Sequence, residues 1–257
     1  LANAINTEGY EALLVRSATT ARKELIDACP GLSFIGRGGV GMDNIDVAYA
    51  REIGRTVANT PASSSDSVAE LVMAHMYTMA RHLHDANRKM PVEGAGQFAA
   101  LKKKYAKGVE LGGKTLGVIG IGRIGQATAR LALGAGMRVI AFDPYSDLAS
   151  IKVKIHGMGK LNVPIERVSM KELLAQSDFI SLHVPKQANG AAVLGAAELA
   201  SMKKGSFLVN AARGGVVDET ALIAALDSGH LAYAALDVFE NEPTPREDLM
   251  KHAKISL

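Results

Sequence analysis

LGVIGIGRIG, residues 116–125, sets Gly120, Gly122 and Gly125 in G-x-G-x-x-G spacing at the end of an apolar run, and QATARLALGAG follows it with helical periodicity. A strand that turns through such a loop into a helix has a use for each glycine. The first permits a tight turn, the second lets the backbone approach a pyrophosphate, and the third lets helix and strand pack closely. The first amides of the helix can then donate to phosphates from the positive end of its dipole. A second apolar run, RVIAFDP, ends in Asp143, about 20 residues further on, where a dinucleotide site needs an acid for the adenosine ribose hydroxyls. A carboxylate there also repels a 2′-phosphate, so the expected cofactor is NAD rather than NADP. The alternative is a structural turn with Asp143 capping a helix.

Outward from this loop, apolar runs alternate with helical patterns. TLGVIG, RVIAFD, FISLHVP, SFLVNAA, AYAALDVF and the terminal AKISL read as strands, with KELLAQ and ETALIAALDSG among the helices between them. Such alternation implies a doubly wound parallel sheet covered by helices, an α/β fold. Upstream, EALLVRS, LSFIGRGG and RTVANTP read as three further strands, with ARKELIDAC and VAYAREIG as helices, which makes a smaller βαβ unit. Ser67 with Glu70, and Ser169 with Glu172, have capping-box spacing at the starts of two helices. The Gly- and Lys-rich stretch 91–114 is the expected joint, giving a small domain over residues 1–84 and a dinucleotide-binding domain over 85–257.

Hydrophobic residues make up 48% of the 257 and charged residues 21%, as in an ordinary globular protein, and the net charge of +3 is too small an excess to argue for nucleic acid. Cys29 has no partner for an internal disulfide and reads as a buried thiol. Neither a secretory signal nor a long apolar span occurs, so a cytoplasmic protein with no membrane partner is expected. No histidine or cysteine spacing implies a metal. The lysines of LKKKYAK read as a solvated surface.

The stretches GRGGVGMDNID (36–46), GVIGIGRIG (117–125), NAARGGVVDE (210–219) and ALDVFENEP (235–243) together resemble the D-isomer-specific 2-hydroxyacid dehydrogenase family over nearly the whole chain. The resemblance implies a Rossmann NAD domain, a smaller flavodoxin-like substrate domain, an active site in the cleft between them, and a homodimer made by the NAD domains. It assigns Gly120, Gly122, Arg123, Ile124, Gly125, Asp143, Val184, Ala211, Ala212 and Asp237 to the cofactor, Asp237 by bonding the nicotinamide carboxamide. It makes Arg213 the catalytic arginine, a forked donor able to hold a 2-oxo or 2-hydroxy carboxylate and polarise its carbonyl. It makes Glu242 the acid that raises the pKa of a histidine proton carrier and orients it, leaving Glu240 as a solvated loop acid. That histidine is expected a few residues beyond Leu257. Of the histidines present, His183 reads as a strand-end residue, and His82 and His84 fall on different helix faces.

An anionic small molecule is the expected substrate. The amides of Gly38, Gly39 and Val40 suit its carboxylate as a nest, and Arg16 and Arg37 suit a phosphate if both face the cleft; VRSAT (15–19) and GRGGVG (36–41) resemble family members that oxidise 3-phospho-D-glycerate, so that reaction is expected. Hydroxypyruvate or glyoxylate reduction is the alternative within the family, and an NAD-sensing corepressor-like binding protein is the alternative outside enzymology. Met73, Met76 and Met79 form one helical face that suits a core or a subunit contact, and the resemblance favours the dimer contact. Ala62, Ser63 and Ser64 depart from the family pattern, which has glycine and asparagine there.

Overall fold

Short parallel strands and the helices that cover them enclose three hydrophobic cores, one in the first unit and two in the second. The computed structural model describes residues 1–257 and divides into Leu1–Ser65 and Asp66–Leu257. The first unit comprises α1 (Ala2–Thr7), β1 (Ala12–Val15), α2 (Lys23–Asp27), β2 (Phe34–Arg37), α3 (Val47–Glu52) and β3 (Thr56–Asn59). Its sheet is parallel in the order β1-β2-β3. Ile26, Cys29, Leu32 and Ile35 are fully buried in its core, so Cys29 is the buried thiol expected.

The chain continues through α4 (Ser65–Ala80), α5 (Leu83–Tyr105), β4 (Thr115–Ile119), α6 (Arg123–Gly134), β5 (Arg138–Phe142), β6 (Ser150–Ile155), β7 (Gly159–Pro164) and β8 (Glu166–Arg167). It ends with α7 (Met170–Gln176), β9 (Phe179–Leu182), α8 (Ala196–Ser201), β10 (Ser206–Asn210), α9 (Glu219–Asp227), β11 (Leu231–Leu236), α10 (Glu247–Lys251) and β12 (Ile255–Ser256). Seven strands form one parallel sheet in the order β12-β11-β10-β9-β4-β5-β8, the doubly wound sheet that the alternation predicts. β4 lies centrally and the chain winds away from it in both directions, so the switch point falls between β4 and β9. Phe179, Phe207 and Tyr233 sit in register on β9, β10 and β11, with ring centroids 4.4 and 6.1 Å apart. Each stacked pair contributes roughly 1 kcal/mol beyond its burial.

The division falls before α4 rather than between residues 84 and 85. The reason is packing: Val72, Met76 and Met79 of α4 have no exposed surface and belong to the same core as Leu116, Val118 and Ala129. That also corrects the reading of the methionine face, because Met73, Met76 and Met79 are covered by their own unit and present nothing to a second subunit. The expected joint is helical as far as Tyr105, with a kink at Gln97. Glycines and Pro91 weaken that helix intrinsically, but Leu101 and Gly94 are buried and packing overrides propensity. Ser169 and Glu172 form their capping box, whereas α4 begins at Ser65, which leaves Ser67 inside it. β6 and β7 form an antiparallel hairpin that the sequence reading passes over. No helix is long and apolar enough to cross a membrane.

Candidate active site

The C-terminal ends of the central strands carry the candidate residues of the second unit. β4 is followed by Gly120, whose φ of 90° favours glycine and whose N–H donates to Phe142 O at 2.9 Å. A Cβ there would stand 2.6 Å from His183 O and 2.7 Å from Val184 Cγ1, so the glycine loop and the segment after β9 meet across the switch point. At Gly125 a Cβ would lie 2.0 Å from Gly120 O, which locks helix α6 against the turn. At Gly122 a Cβ would meet nothing within 4 Å: the space before this backbone is open, as a pyrophosphate requires. Arg123 and Ile124 open α6 immediately beyond it. Replacing Gly125 with alanine should therefore cost on the order of 3 kcal/mol of stability together with cofactor binding, measured by urea unfolding and by NADH fluorescence titration.

Asp143 follows β5. Its Oδ2 accepts from Ile121 N–H and its Oδ1 from Tyr145 N–H, both at 2.9 Å. It thus ties the glycine loop to the end of β5, and it is part-exposed at the place where an adenosine ribose would lie. The residues present fit a dinucleotide: an open loop at a helix N-terminus, with a carboxylate on the next strand.

On the other side of the switch point, β10 ends at Asn210, which is buried. Its side chain accepts from Ala212 N–H (3.1 Å) and donates to Arg213 O (3.0 Å), folding Ala211, Ala212 and Arg213 into a clamped loop. Asn210 was not among the sequence candidates, although a polar residue closing the apolar run SFLVN signals such a clamp. Arg213 is half-buried and its Nη1 donates to Ala212 O at 2.6 Å. β11 runs parallel beside β10 and is followed by Asp237, whose N–H donates to Asn210 O at 3.0 Å. Glu242 is exposed, and its Oε1 accepts from Phe239 N–H at 2.9 Å. The two loops touch: a Cβ on Gly214 would stand 1.8 Å from Phe239 O and 2.8 Å from Glu240 N. Arg213 and Glu242 therefore rise from abutting loops on neighbouring strands.

The electrostatics single out Asp237, pushed up by burial and by the neighbouring Glu242, and drawn down by His75. Glu240 corrects the sequence reading, because it is not merely a solvated acid. Its Oε1 accepts from Glu219 N–H at 3.4 Å, and buried Glu219 accepts from Glu240 N–H at 2.8 Å, so the pair stitches the turn after β11 to the start of α9. His183 packs its Nε2 2.9 Å from Ser181 Oγ, and burial pushes it down to about 3, so it stays neutral and agrees with its strand-end reading.

In the first unit a cavity of about 320 Å³ opens at the ends of β1, β2 and β3, bordered by Arg16, Arg37, Gly38 and Thr60 among others. Arg37 is committed within it. Its guanidinium donates to Asn44 Oδ1 (3.2 Å), Gly38 O (2.7 Å) and Ser17 Oγ (3.3 Å). Gly38 N–H donates to Val15 O, and Gly39 N–H to Thr60 Oγ1 and Arg37 O. These bonds hold the loop closed, and of the expected anion donors they leave Arg16, which is exposed, and the Val40 amide.

A doubly wound sheet with an open glycine loop, an acid on the next strand and an arginine across the switch point defines a nicotinamide-dinucleotide-binding protein. Residues 73–257 match the family model described as "D-isomer specific 2-hydroxyacid dehydrogenase, NAD binding domain", and the chain belongs to this family of NAD-dependent oxidoreductases acting on CH–OH groups. It is 44% identical over 237 residues to a hydroxypyruvate reductase of Thermotoga maritima, covering 92% of this chain and 72% of that protein. It is 43% identical over 241 residues to a D-3-phosphoglycerate dehydrogenase of Methanocaldococcus jannaschii, covering 93% of this chain but 43% of that protein. The chain thus spans less than half the length of that second relative. A D-lactate dehydrogenase of Aquifex aeolicus, solved with NAD and lactic acid, superposes with a TM-score of 0.74 at 32% identity, covering 94% of this chain and 68% of that one.

Proposed function

We propose that the protein oxidises 3-phospho-D-glycerate to 3-phosphooxypyruvate with NAD. The observation that carries the dehydrogenase reading is the junction of the loops after β10 and β11, which raises Arg213 and Glu242 together beside Asp237. Bound NAD supplies the acceptor for the hydride that leaves C2. The chain's own residues bind and orient the reactants. The glycine loop and the start of α6 hold the pyrophosphate, and Asp143 takes the ribose hydroxyls. Val184, Ala211 and Ala212 border the ring end, and Asp237 accepts from the carboxamide. Arg213 grips the substrate carboxylate by a forked pair of bonds and draws electron density from the forming carbonyl. Glu242 serves the imidazole that removes the hydroxyl proton, stabilising its charged form and fixing its orientation.

Arg16 and the Val40 amide are the donors in the first unit for the substrate's anionic end, and the homodimer belongs to the same proposal. Arg16→Ala should raise KM for 3-phosphoglycerate by about tenfold or more, the loss of a charge-assisted bond to an anion, and leave KM for NAD unchanged. Equal shifts in both constants would remove Arg16 from the substrate. A second reading, reduction of hydroxypyruvate or glyoxylate, is favoured by the internal bonding of Arg37, which takes one of the two expected phosphate ligands out of play. Initial rates with NAD and 3-phosphoglycerate, against NADH with hydroxypyruvate and glyoxylate, decide between them. Tight NADH binding with no turnover of any of these acids would favour a cofactor-sensing protein instead.

A further inference from the structure

His75 is buried in the second unit, 7% exposed, on the stripe of α4 that carries Val72, Met76 and Met79. A polar ring on an apolar stripe needs a partner. Its Nδ1 lies 3.1 Å from Ser256 Oγ, and Ser256 is itself buried on β12, paired with Ala235 of β11. Asp237 stands two positions beyond Ala235, so alternation aims both side chains at the same sheet face. That face is the one α4 covers, because Ala235 is buried in the same core as Val72 and Met76. One core helix and the edge strand are thus joined through a single imidazole, on the face to which alternation turns Asp237, the residue after β11.

The charges follow the same geometry. Burial holds His75 below its usual value, and the charge of Asp237 beyond the end of β11 opposes that shift. Asp237 in turn feels Glu242 from the loop beyond, which raises it, and His75, which opposes Glu242. We propose that His75 is a positioning residue for the nicotinamide end of the cofactor, fixing Asp237 and the end of β12 from beneath through Ser256. The inference rests on the reading of Asp237 as the carboxamide acceptor.

The test compares NADH with ADP-ribose, which keeps the adenosine, pyrophosphate and second ribose but lacks the nicotinamide. His75→Leu fills the space without the polar atoms, whereas His75→Asn keeps a donor and an acceptor near Ser256. In calorimetric titrations His75→Leu should raise the NADH Kd about tenfold, roughly one hydrogen bond's worth, and leave the ADP-ribose Kd unchanged. His75→Asn should restore most of the NADH affinity. Ser256→Ala, a smaller change should His75→Leu fail to fold, should show the same selective loss. Equal weakening of both ligands, or no weakening of NADH, overturns the role of His75. Failure of the unaltered protein to bind NADH overturns the cofactor reading itself, which is a different result.

Discussion

Arg213→Gln should lower kcat/KM for the 2-hydroxy acid by about 10³-fold, close to 4 kcal/mol of transition-state stabilisation, while the NADH Kd stays within a factor of about two. The side chain rises from a loop clamped by Asn210, so its removal leaves the loop and the neighbouring cofactor site in place. Arg213→Lys should recover little of the loss, because a point charge cannot make the forked pair of bonds to a carboxylate. Steady-state kinetics with fluorescence titration of NADH separates the two effects. A variant that keeps more than a third of the wild-type rate, or loses NADH binding in parallel, would remove Arg213 from the chemistry.

The parts of the molecule legible in the sequence are those where backbone geometry leaves little choice. The turn at Gly120 and the contact at Gly125 demand glycine, so the loop, its strand and its helix can be read together, and the apolar runs TLGVI, FISL and SFLVN read as fully buried parallel strands. The β6–β7 hairpin was legible in principle, since IKVKI alternates and HGMGK turns, but it pairs only with itself and contributes nothing to a strand-helix-strand series. Helix α5 was hidden by Pro91, Gly94 and Gly96, which read locally as a linker and are overruled by burial of Leu101. The candidate site divides in the same way. Asp143 follows from its place at a strand end, and Arg213 from the family resemblance that NAARGG carries. The partners of Glu240, His75 and Arg37 do not, because each is set by how separate elements and turns come together: Glu219 for the first, Ser256 for the second, Asn44 and Ser17 for the third. Strand parity gives Glu240 and Glu242 the same face, and only the course of the turn separates the acid that stitches two loops from the acid that stands exposed.

Gly214 links these loops and gives the second large expected effect. An added Cβ would stand 1.8 Å from Phe239 O and 2.3 Å from Phe239 C, backbone atoms that no rotamer change can clear. Gly214→Ala must therefore push the Arg213 loop and the Phe239–Glu242 turn apart. A displacement near 1 Å between groups that must act on one substrate costs about 10²-fold in rate, and overpacking against backbone costs about 1–3 kcal/mol of stability. The expected result is kcat lowered by about 10², a reduced midpoint in urea, and an unchanged Kd for ADP-ribose, whose adenosine and pyrophosphate are proposed to bind at Gly122 and Asp143 across the switch point. Full activity in this variant would mean that the two loops need not abut for function. A parallel loss of ADP-ribose binding would mean that the strain spreads through the sheet instead of staying at the junction of β10 and β11.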